Sequence, residues 1–352
     1  MVIESNKRTL YLELIKALYG CIMSALLWYE TFVQELDIQG FLLNPYDPCV
    51  AKKVIEGNQC TICWYVDDTK ISHKNPKVVT GIISLLESRF GEMIVKRGNL
   101  HTFVGMDFEV TDDRCIKILV DDYIKECIDT FEEIDKKISG KAVTPAKHNL
   151  FEVDDNQKVL SNEKADIFHH IVGKLLYVSK RARMDIDLTI SFLCTRVAKS
   201  NDDDWMKLKR LLTYLKGSLG LGRIIRANDL NVLYAWVVAS FAVHQDMRGH
   251  TGGVMSFGKG IIIHKSLKQK INTKSSTETE LVGASEFLPW LLWSKRFLEM
   301  QGYHVKELIF YQDNESAIKM ELNGQRSYSD RSRHIKFFFI KDVIDQENLD
   351  VR

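Results

Sequence analysis

The stretch Cys60-Thr61-Ile62-Cys63-Trp64-Tyr65-Val66-Asp67-Asp68-Thr69-Lys70-Ile71-Ser72 is the most informative part of this sequence. Its two short apolar runs predict the strands of a tight β-hairpin, with Asp67 and Asp68 at the tip. Two adjacent carboxylates repel each other unless a divalent metal or another cation neutralises them. A tip of this kind suits the Mg²⁺ of a nucleotidyl-transfer site, with Mn²⁺ as a substitute, because both ions accept oxygen ligands. The alternative is a solvated turn, in which Asp-Asp pairs are common.

The composition around this hairpin is that of an ordinary globular protein. The chain has 352 residues, of which 45% are hydrophobic and 27% charged, enough for two or three domains. A net charge of +1 argues against a uniformly basic surface but permits local basic stripes. The sequence contains no apolar run of about 18 residues, so it predicts no membrane span. The first residues also lack the apolar core of a signal peptide.

The cysteines indicate a reducing compartment. Their number is seven, which is odd, and they lack paired spacing, so we expect free thiols in a cytosolic or nuclear setting. Cys60 and Cys63 form a C-x-x-C pair, but no second pair or histidine partner follows at zinc spacing. We therefore interpret both thiols as packing groups.

Apolar periodicity predicts an α+β first part followed by a helical part. A helix over 24–39 ends at Gly40 and is expected to pack against the hairpin, and a second helix runs from Pro76 to Gly91. Strands are predicted at 93–95, 103–110 and 116–120, with a short helix over 122–131. A polar stretch over 136–160 is predicted to be a loop or linker, and 162–217 to be helical.

The remaining residues predict a β-β-β-α-β-α order. The three strands are expected at 232–238, 253–257 and 260–264, and a long helix at 276–300 follows them. A strand over 308–312 and a helix from Asn314 complete the series. Such an arrangement predicts a second sheet with helices beside it.

Seven segments, in one order, resemble a known family. They are Ala17-Leu18-Tyr19-Gly20 with Trp28-Tyr29, Phe103-Val104-Gly105, Val172–Tyr177 with Arg183–Ile186, Leu211–Gly217, Thr251-Gly252-Gly253, Ser275–Glu280 and Gln312–Ile318. Together with the hairpin they resemble the Pol polyprotein of copia-type LTR retrotransposons, in its reverse transcriptase and ribonuclease H regions. The resemblance implies an α+β palm fragment of a reverse transcriptase with part of the thumb at 1–135, and a linker with a helical connection at 136–225. An α/β ribonuclease H-like domain with a mixed five-stranded sheet would follow at 226–352.

The resemblance also implies a function. An RNA-directed DNA polymerase with ribonuclease H would act on RNA, DNA and RNA/DNA hybrid, within a polyprotein that also serves DNA integration. It would not bind membranes, and other Pol or Gag products of the element would be its protein partners. We expect it in the cytoplasm, within a virus-like particle, or in the nucleus.

Four carboxylates are assigned to catalysis and to Mg²⁺ binding by this resemblance. Asp67 and Asp68 match the polymerase hairpin, while Glu280 and Asp313 match ribonuclease H positions. Simpler roles are open for the second pair, since Glu280 could be a charge near a helix N-terminus and Asp313 could cap the helix from Asn314.

Departures from the family pattern predict that catalysis is lost. Val238 stands where the family has an aspartate, and Lys336 stands near a further carboxylate position. We expect Val238, Glu280 and Asp313 to converge at one edge of the second sheet. The third polymerase carboxylate and the fingers would precede Met1, so the chain is expected to be a truncated form. Residues 22–26 also replace a basic and polar run of the family.

Basic residues suggest how nucleic acid could bind. Strand alternation is expected to put several members of one run on a common face, the run being Lys265, Lys268, Lys270 and Lys274. Two further clusters are Lys180 with Arg181 and Arg183, and Lys207 with Lys209, Arg210 and Lys216. Each could equally be a solvated face. A non-catalytic protein that keeps the fold and binds nucleic acid or another partner is therefore the alternative function.

Overall fold

The computed structural model describes residues 2–4, 7–9, 18, 20–323 and 331–352. Side chains are described for residues 18, 20–21, 23–322 and 339–352. The chain divides into two compact units, residues 1–95 and residues 96–352. Among the described helices, none combines the length and the apolar character that crossing a lipid bilayer requires.

The first unit contains an antiparallel sheet and two helices. Its elements are β1 (Val2–Glu4), β2 (Lys7–Thr9), α1 (Ile22–Ile38), β3 (Leu42–Asn44), β4 (Asp47–Ile55), β5 (Asn58–Tyr65), β6 (Asp68–Ser72) and α2 (Pro76–Phe90). Strands β3 to β6 form the sheet in chain order, and β1 and β2 pair with each other as a separate two-stranded sheet. Asn75 caps α2, its side chain accepting from the Lys77 N–H at 3.0 Å.

The core of this unit lies between the sheet and both helices. Phe32 of α1 packs edge to face on Trp64 of β5, with ring centroids 5.1 Å apart. Leu86 of α2 and the Cys60 thiol of β5 are fully buried in the same cluster. The helix predicted from residue 24 therefore packs against the hairpin strands as expected, and Cys60 is a packing group.

The second unit contains two five-stranded sheets and a helical layer. Its elements are β7 (Leu100–Phe103), β8 (Met106–Val110), β9 (Ile116–Leu119), α3 (Asp121–Ile134), α4 (Asn162–Arg181), α5 (Asp187–Arg196), α6 (Asp202–Lys216), β10 (Arg223–Ala227), β11 (Val232–Ser240), β12 (His250–Ser256), β13 (Gly258–Lys259), β14 (Ile261–Lys268), α7 (Ser276–Met300), β15 (Glu307–Gln312), α8 (Glu315–Asn323), α9 (Arg331–Glu347) and β16 (Leu349–Val351).

The first of these sheets corrects two strand predictions. Its antiparallel order is β13-β10-β9-β8-β7. The strand predicted over 103–110 is a hairpin, because Val104 and Gly105 both take positive φ, 49° and 68°, and reverse the chain. Residues 93–95, predicted as a strand, have no strand structure. Ile94 there is almost fully exposed and so has no sheet neighbour to pack on.

The helices α3 to α6 share an extensive core with this sheet. Phe131 stacks on Trp205 with centroids 4.6 Å apart, and both rings are buried. Asn201 and Asp204 form a reciprocal capping box at the start of α6. These contacts hold the predicted helical connection together.

The second sheet is mixed and has five strands, as the resemblance implied. Its order is β14-β12-β11-β15-β16, with β14, β12 and β11 antiparallel and β11, β15 and β16 parallel. Helix α7 covers one face, where Phe287 and Leu291 pack with Ala235 and Val237. Alternation along β11 turns Trp236 and Val238 to the opposite face, where they are 39% and 50% exposed.

The predicted domain limits differ from the division seen here. The structure divides the chain after residue 95, whereas the sequence predicted limits after 135 and 225. Strand β10 crosses the second predicted limit and pairs with β9. The three-domain division stays a prediction.

Candidate functional site

The hairpin tip carries the first pair of candidate carboxylates. A two-residue turn, Val66-Asp67, joins β5 to β6, and Tyr65 pairs with Asp68 across it. Val66 has a φ of 54°, a left-handed conformation that is costly for a β-branched residue. The Trp28 indole N–H donates to the Val66 carbonyl at 2.7 Å and fixes the turn against α1. Both aspartates are exposed at this tip.

The second candidate site lies where β15 ends beside β11. Val237 of β11 pairs with Gln312, the last residue of β15, so the next residues, Val238 within β11 and Asp313 just after β15, are neighbours. Glu280, on α7, accepts a hydrogen bond from the backbone N–H of Ala239. The chain thus brings Val238, Glu280 and Asp313 together. Glu280 approaches from the α7 face, however, whereas the Val238 side chain lies on the opposite, exposed face.

Glu280 is buried in this site and is not a surface helix charge. Burial is the main cause that raises the pKa of Glu280 to about 7, and the nearby charge of Asp313 adds to the shift. The Ala239 N–H opposes it by stabilising the carboxylate. Within the described part of the chain, Glu280 Oε2 is buried and has no hydrogen-bond partner.

Asp313 is exposed, and the capping role considered for it belongs to its neighbour. The Asn314 side-chain oxygen accepts from the Ala317 N–H at 3.0 Å, so Asn314 caps α8. The Asp313 N–H donates to Gln312 Oε1 at 3.1 Å. The Asp313 side chain has no capping role, and its charge acts on the Glu280 carboxyl group.

Glu321 is a further carboxylate that the sequence analysis missed. It is fully buried on α8, and neither of its carboxylate oxygens has a hydrogen-bond partner among the described residues. Burial raises the pKa of Glu321 to about 7, and the charge of Glu280 adds to the rise. The nearby Gln312 amide, which does not reach hydrogen-bond geometry with either oxygen, opposes the rise only in part. One feature of the sequence indicated its burial: Glu321 lies four residues after the buried Ala317, on the same helix face.

Neither carboxylate site has the donor set that a two-metal centre needs. The described residues contain no group of three or more His, Cys, Asp or Glu side chains placed to hold a metal ion. The Val238 side chain supplies no oxygen beside Asp313, and the hairpin tip supplies two carboxylates. The residues present therefore do not fit a paired Mg²⁺ centre. The side chain of Lys336 lies outside the described residues.

The basic run does not form the continuous face that was predicted. Strand β14 ends at Lys268, and its alternation puts Lys265 and Lys268 on opposite faces. The Lys265 ammonium lies over the Trp290 ring, 3.6 Å from its centroid, and Lys268 pairs with Asp246 at 2.8 Å. Lys270 and Lys274 follow the strand and are exposed.

The other two basic clusters are largely paired inside the protein. Lys180 pairs with Asp187 at 2.7 Å, and the buried Arg183 pairs with Asp185 at 2.8 Å. In the third cluster the ion pairs are Lys207–Asp203, Lys209–Asp135 and Lys216–Glu132. These cations stabilise the helical layer, so most of them are not available to phosphates.

Comparisons with known proteins agree with this arrangement. Residues 2–145 match the family model of reverse transcriptase (RNA-dependent DNA polymerase). The retrovirus-related Pol polyprotein of transposon TNT 1-94, from Nicotiana tabacum, is 27% identical over 99% of this chain and 26% of that protein. The corresponding polyprotein of transposon RE2, from Arabidopsis thaliana, is 24% identical over 97% of the chain and 23% of that protein.

A solved structure supports the fold. The foamy viral protease-reverse transcriptase, in complex with RNA/DNA hybrid, matches 95% of this chain and 38% of its own with a TM-score of 0.52 and 12% identity. At that identity the likeness concerns the fold alone. The chain spans about a quarter of the length of the curated polyproteins it matches.

Proposed function

This chain is related to the Pol polyproteins of retrotransposons, and we propose that it binds RNA/DNA hybrid, RNA or DNA without cleaving the hybrid. It would combine a reverse transcriptase palm with a ribonuclease H-like domain formed by the mixed sheet and α7. The observation that carries the proposal is that the described residues supply no third metal ligand beside Glu280 and Asp313. Val238, the β11 residue next to Asp313, carries an isopropyl group, and its side chain lies on the sheet face opposite Glu280.

Loss of cleavage follows from the chemistry of the site. Hydrolysis by this class of enzyme uses two divalent metals, one that activates the water and one that stabilises the leaving oxygen. Their binding requires several carboxylates around one point. Glu280, whose raised pKa keeps it partly protonated near pH 7, is in addition a weaker ligand than an ionised carboxylate.

The hairpin tip supports a palm assignment for the first unit. Adjacent exposed carboxylates on a two-residue turn, held by the Trp28 contact, suit the place of the polymerase carboxylates in the family. We assign Asp67 and Asp68 to that place. With two carboxylates at the tip, we expect no template-dependent primer extension from the chain.

Cleavage and metal binding test the catalytic half of this proposal. The unmodified chain should leave the RNA strand of a labelled hybrid intact in Mg²⁺ or Mn²⁺. Val238→Asp should strengthen Mn²⁺ binding in calorimetry, whereas the isosteric but uncharged control Val238→Asn should change it little. Cleavage should return only when Lys336→Asp is added. RNA cleavage by the unmodified chain that Glu280→Gln abolishes would refute the loss of catalysis.

Salt dependence in the same samples tests the binding half. Phosphate contacts release counterions, so the logarithm of the affinity for hybrid should fall linearly with the logarithm of the salt concentration. Lys270→Gln with Lys274→Gln should reduce that slope by about 1.5 to 2, while the exposed Lys306→Gln serves as the control. Binding that is absent, or that does not respond to salt, would contradict the proposal.

A protein-interaction function is the second candidate, and one surface favours it. Trp236 stacks between Tyr234 and Tyr311 on the face of the mixed sheet opposite α7, with centroids 5.9 and 5.2 Å away. Aromatic groups exposed on a sheet are common in protein interfaces as well as in base-stacking surfaces. Binding of a protein partner that Trp236→Ala weakens, with no binding of hybrid, would favour this candidate.

A further inference from the structure

A cavity of about 370 Å³ lies between the segment 139–150 and helix α6, apart from both carboxylate sites. It is within the size range of small-molecule sites. The segment was predicted to be part of a linker. The side of α6 that faces this segment carries residues of the third basic cluster. A linker that encloses a cavity against a helix has a more definite structure than a connection requires.

The charge of the cavity wall is strongly positive. The wall contains five cationic residues and one carboxylate, Asp203. The cations are Lys141, Lys147, Lys207, Lys209 and Arg210. Lys207 pairs with Asp203 at 2.8 Å, and Lys209 pairs with Asp135 at 3.0 Å. The internal ion pairs therefore account for two of these cations and leave the other three.

These three cations lack anionic partners among the residues that the structure describes. Lys141 and Lys147 are exposed at the cavity and form no ion pair there. Arg210 donates from Nη2 to the Thr144 hydroxyl at 2.9 Å, but its Nε is buried and has no acceptor. The buried Nε–H is closed to a ligand, so a ligand in the cavity would meet the Arg210 guanidinium through its Nη groups, and its unpaired charge is what an anion would neutralise.

The remaining wall is apolar. Ala142, Pro145, Leu150 and Met206 contribute to it, and Met206 is 60% exposed. An inorganic anion would leave this surface in water. A ligand with a phosphate at one end and a flat apolar group at the other would cover both parts.

We propose that this cavity binds a phosphate joined to a nucleoside, with Arg210, Lys141 and Lys147 on the phosphate and Met206 with Pro145 against the base. Free nucleotides and the phosphorylated end of a nucleic-acid strand both offer this chemistry. Arginine suits the role because its planar fork can donate two hydrogen bonds to phosphate oxygens. The proposal does not depend on hybrid binding or on the carboxylate sites.

Calorimetric titration of the full chain tests the proposal. Adenosine 5′-monophosphate should bind with a dissociation constant below about 1 mM, and inorganic phosphate and adenosine each at least about tenfold more weakly. Arg210→Gln should weaken binding of the nucleotide about tenfold or more. Lys147→Gln, an exposed change that leaves the fold intact, should weaken it too, whereas Lys158→Gln outside the cavity should not.

A 5′-phosphorylated oligonucleotide and its 5′-hydroxyl counterpart separate the two sources. Preference for the phosphorylated strand that Lys147→Gln removes would identify a strand end as the ligand, and binding of the mononucleotide alone would identify a free nucleotide. Phosphate binding as tightly as the nucleotide would overturn the proposal. Absence of binding by all of these probes, or binding unaffected by both cavity variants, would overturn it as well.

Discussion

At the scale of single residues, Glu321 is a buried acid without hydrogen-bond partners in the described structure. Removing a carboxylate from water disfavours its charged form, and the neighbouring Glu280 carboxylate disfavours it further. The folded protein therefore holds a proton on Glu321 up to a pH of about 7, whereas the unfolded chain releases it near 4.5, the ordinary pKa of a glutamic acid.

This difference predicts a pH-dependent stability. Between pH 4.5 and about 7 the folded state binds more protons than the unfolded state, so the free energy of unfolding falls as the pH rises. Glu321→Gln should remove the part of this slope that Glu321 contributes, leave the part that the raised pKa of Glu280 contributes, and stabilise the protein above pH 7 by up to about 3 kcal/mol. Urea denaturation at several pH values measures it.

A control on the same helix separates burial from charge. Glu315 is exposed at the start of α8, and Glu315→Gln should leave the pH dependence unchanged. An equal effect from both substitutions would show that the net charge of the helix, and not the buried carboxyl group, determines the slope.

At the scale of elements, two adjacent glycines of β12 have different neighbours. A Cβ on Gly253 would lie 2.4 Å from the Phe287 ring of α7, closer than van der Waals contact allows. A Cβ on Gly252, on the other face, would lie 3.6 Å from Val238 Cγ1, an ordinary contact. The approach of α7 to the mixed sheet therefore depends on Gly253.

The pair gives a prediction with its own control. Gly253→Ala should reduce the free energy of unfolding by about 1–3 kcal/mol, because the Phe287 ring and α7 must move. Gly252→Ala should change it by less than about 1 kcal/mol in either direction. Thermal denaturation followed by circular dichroism compares them. Equal losses would mean that strand flexibility, and not helix packing, is what both glycines provide.

The same scale shows what the sequence could predict. Apolar periodicity located α1, α2 and α7 well, because each buries a stripe of side chains. It failed at Val104 and Gly105, since a valine with positive φ carries no turn signal and the flanking residues continue the strand pattern.

The candidate site was predictable to a similar extent. Motifs led to Glu280 and Asp313, and the fold places them close enough for the Asp313 charge to raise the pKa of Glu280. Glu321 carried no motif. The common face expected for the lysines failed because β14 ends at Lys268, and strand ends depend on pairing that one strand's sequence does not contain.

At the scale of the whole molecule, the chain divides after residue 95 and the second unit is continuous through β10. Arg223 on that strand is buried, and its guanidinium donates to the carbonyls of Lys180 on α4 and Ile262 on β14, at 3.1 and 3.3 Å. It also contacts His264 Nδ1 at 3.0 Å. This buried side chain thus connects the helical layer to the mixed sheet, and the Ser191 hydroxyl of α5 adds a hydrogen bond to the Ser266 carbonyl of β14 at 2.7 Å.

Truncation tests the integrity of this unit. The fragment 96–352 should fold alone and unfold in one cooperative transition, because it keeps both sheets and the helical layer. A fragment 226–352 lacks Arg223 and most of β10, so it should melt at a lower temperature and be cleaved faster by protease. Equal melting temperatures would show that the mixed sheet with α7 is independent of the preceding helices.

The pairing of β9 with β10 also has a consequence for folding during synthesis. Ile118 pairs with Arg223, 105 positions later in the chain. At roughly 5–20 residues per second, a ribosome takes roughly 5–20 seconds to make the segment between these strands. During that interval the edge of β9 has no partner of its own, and Lys117 in its centre is a charge of the kind that discourages pairing with a neighbouring nascent chain.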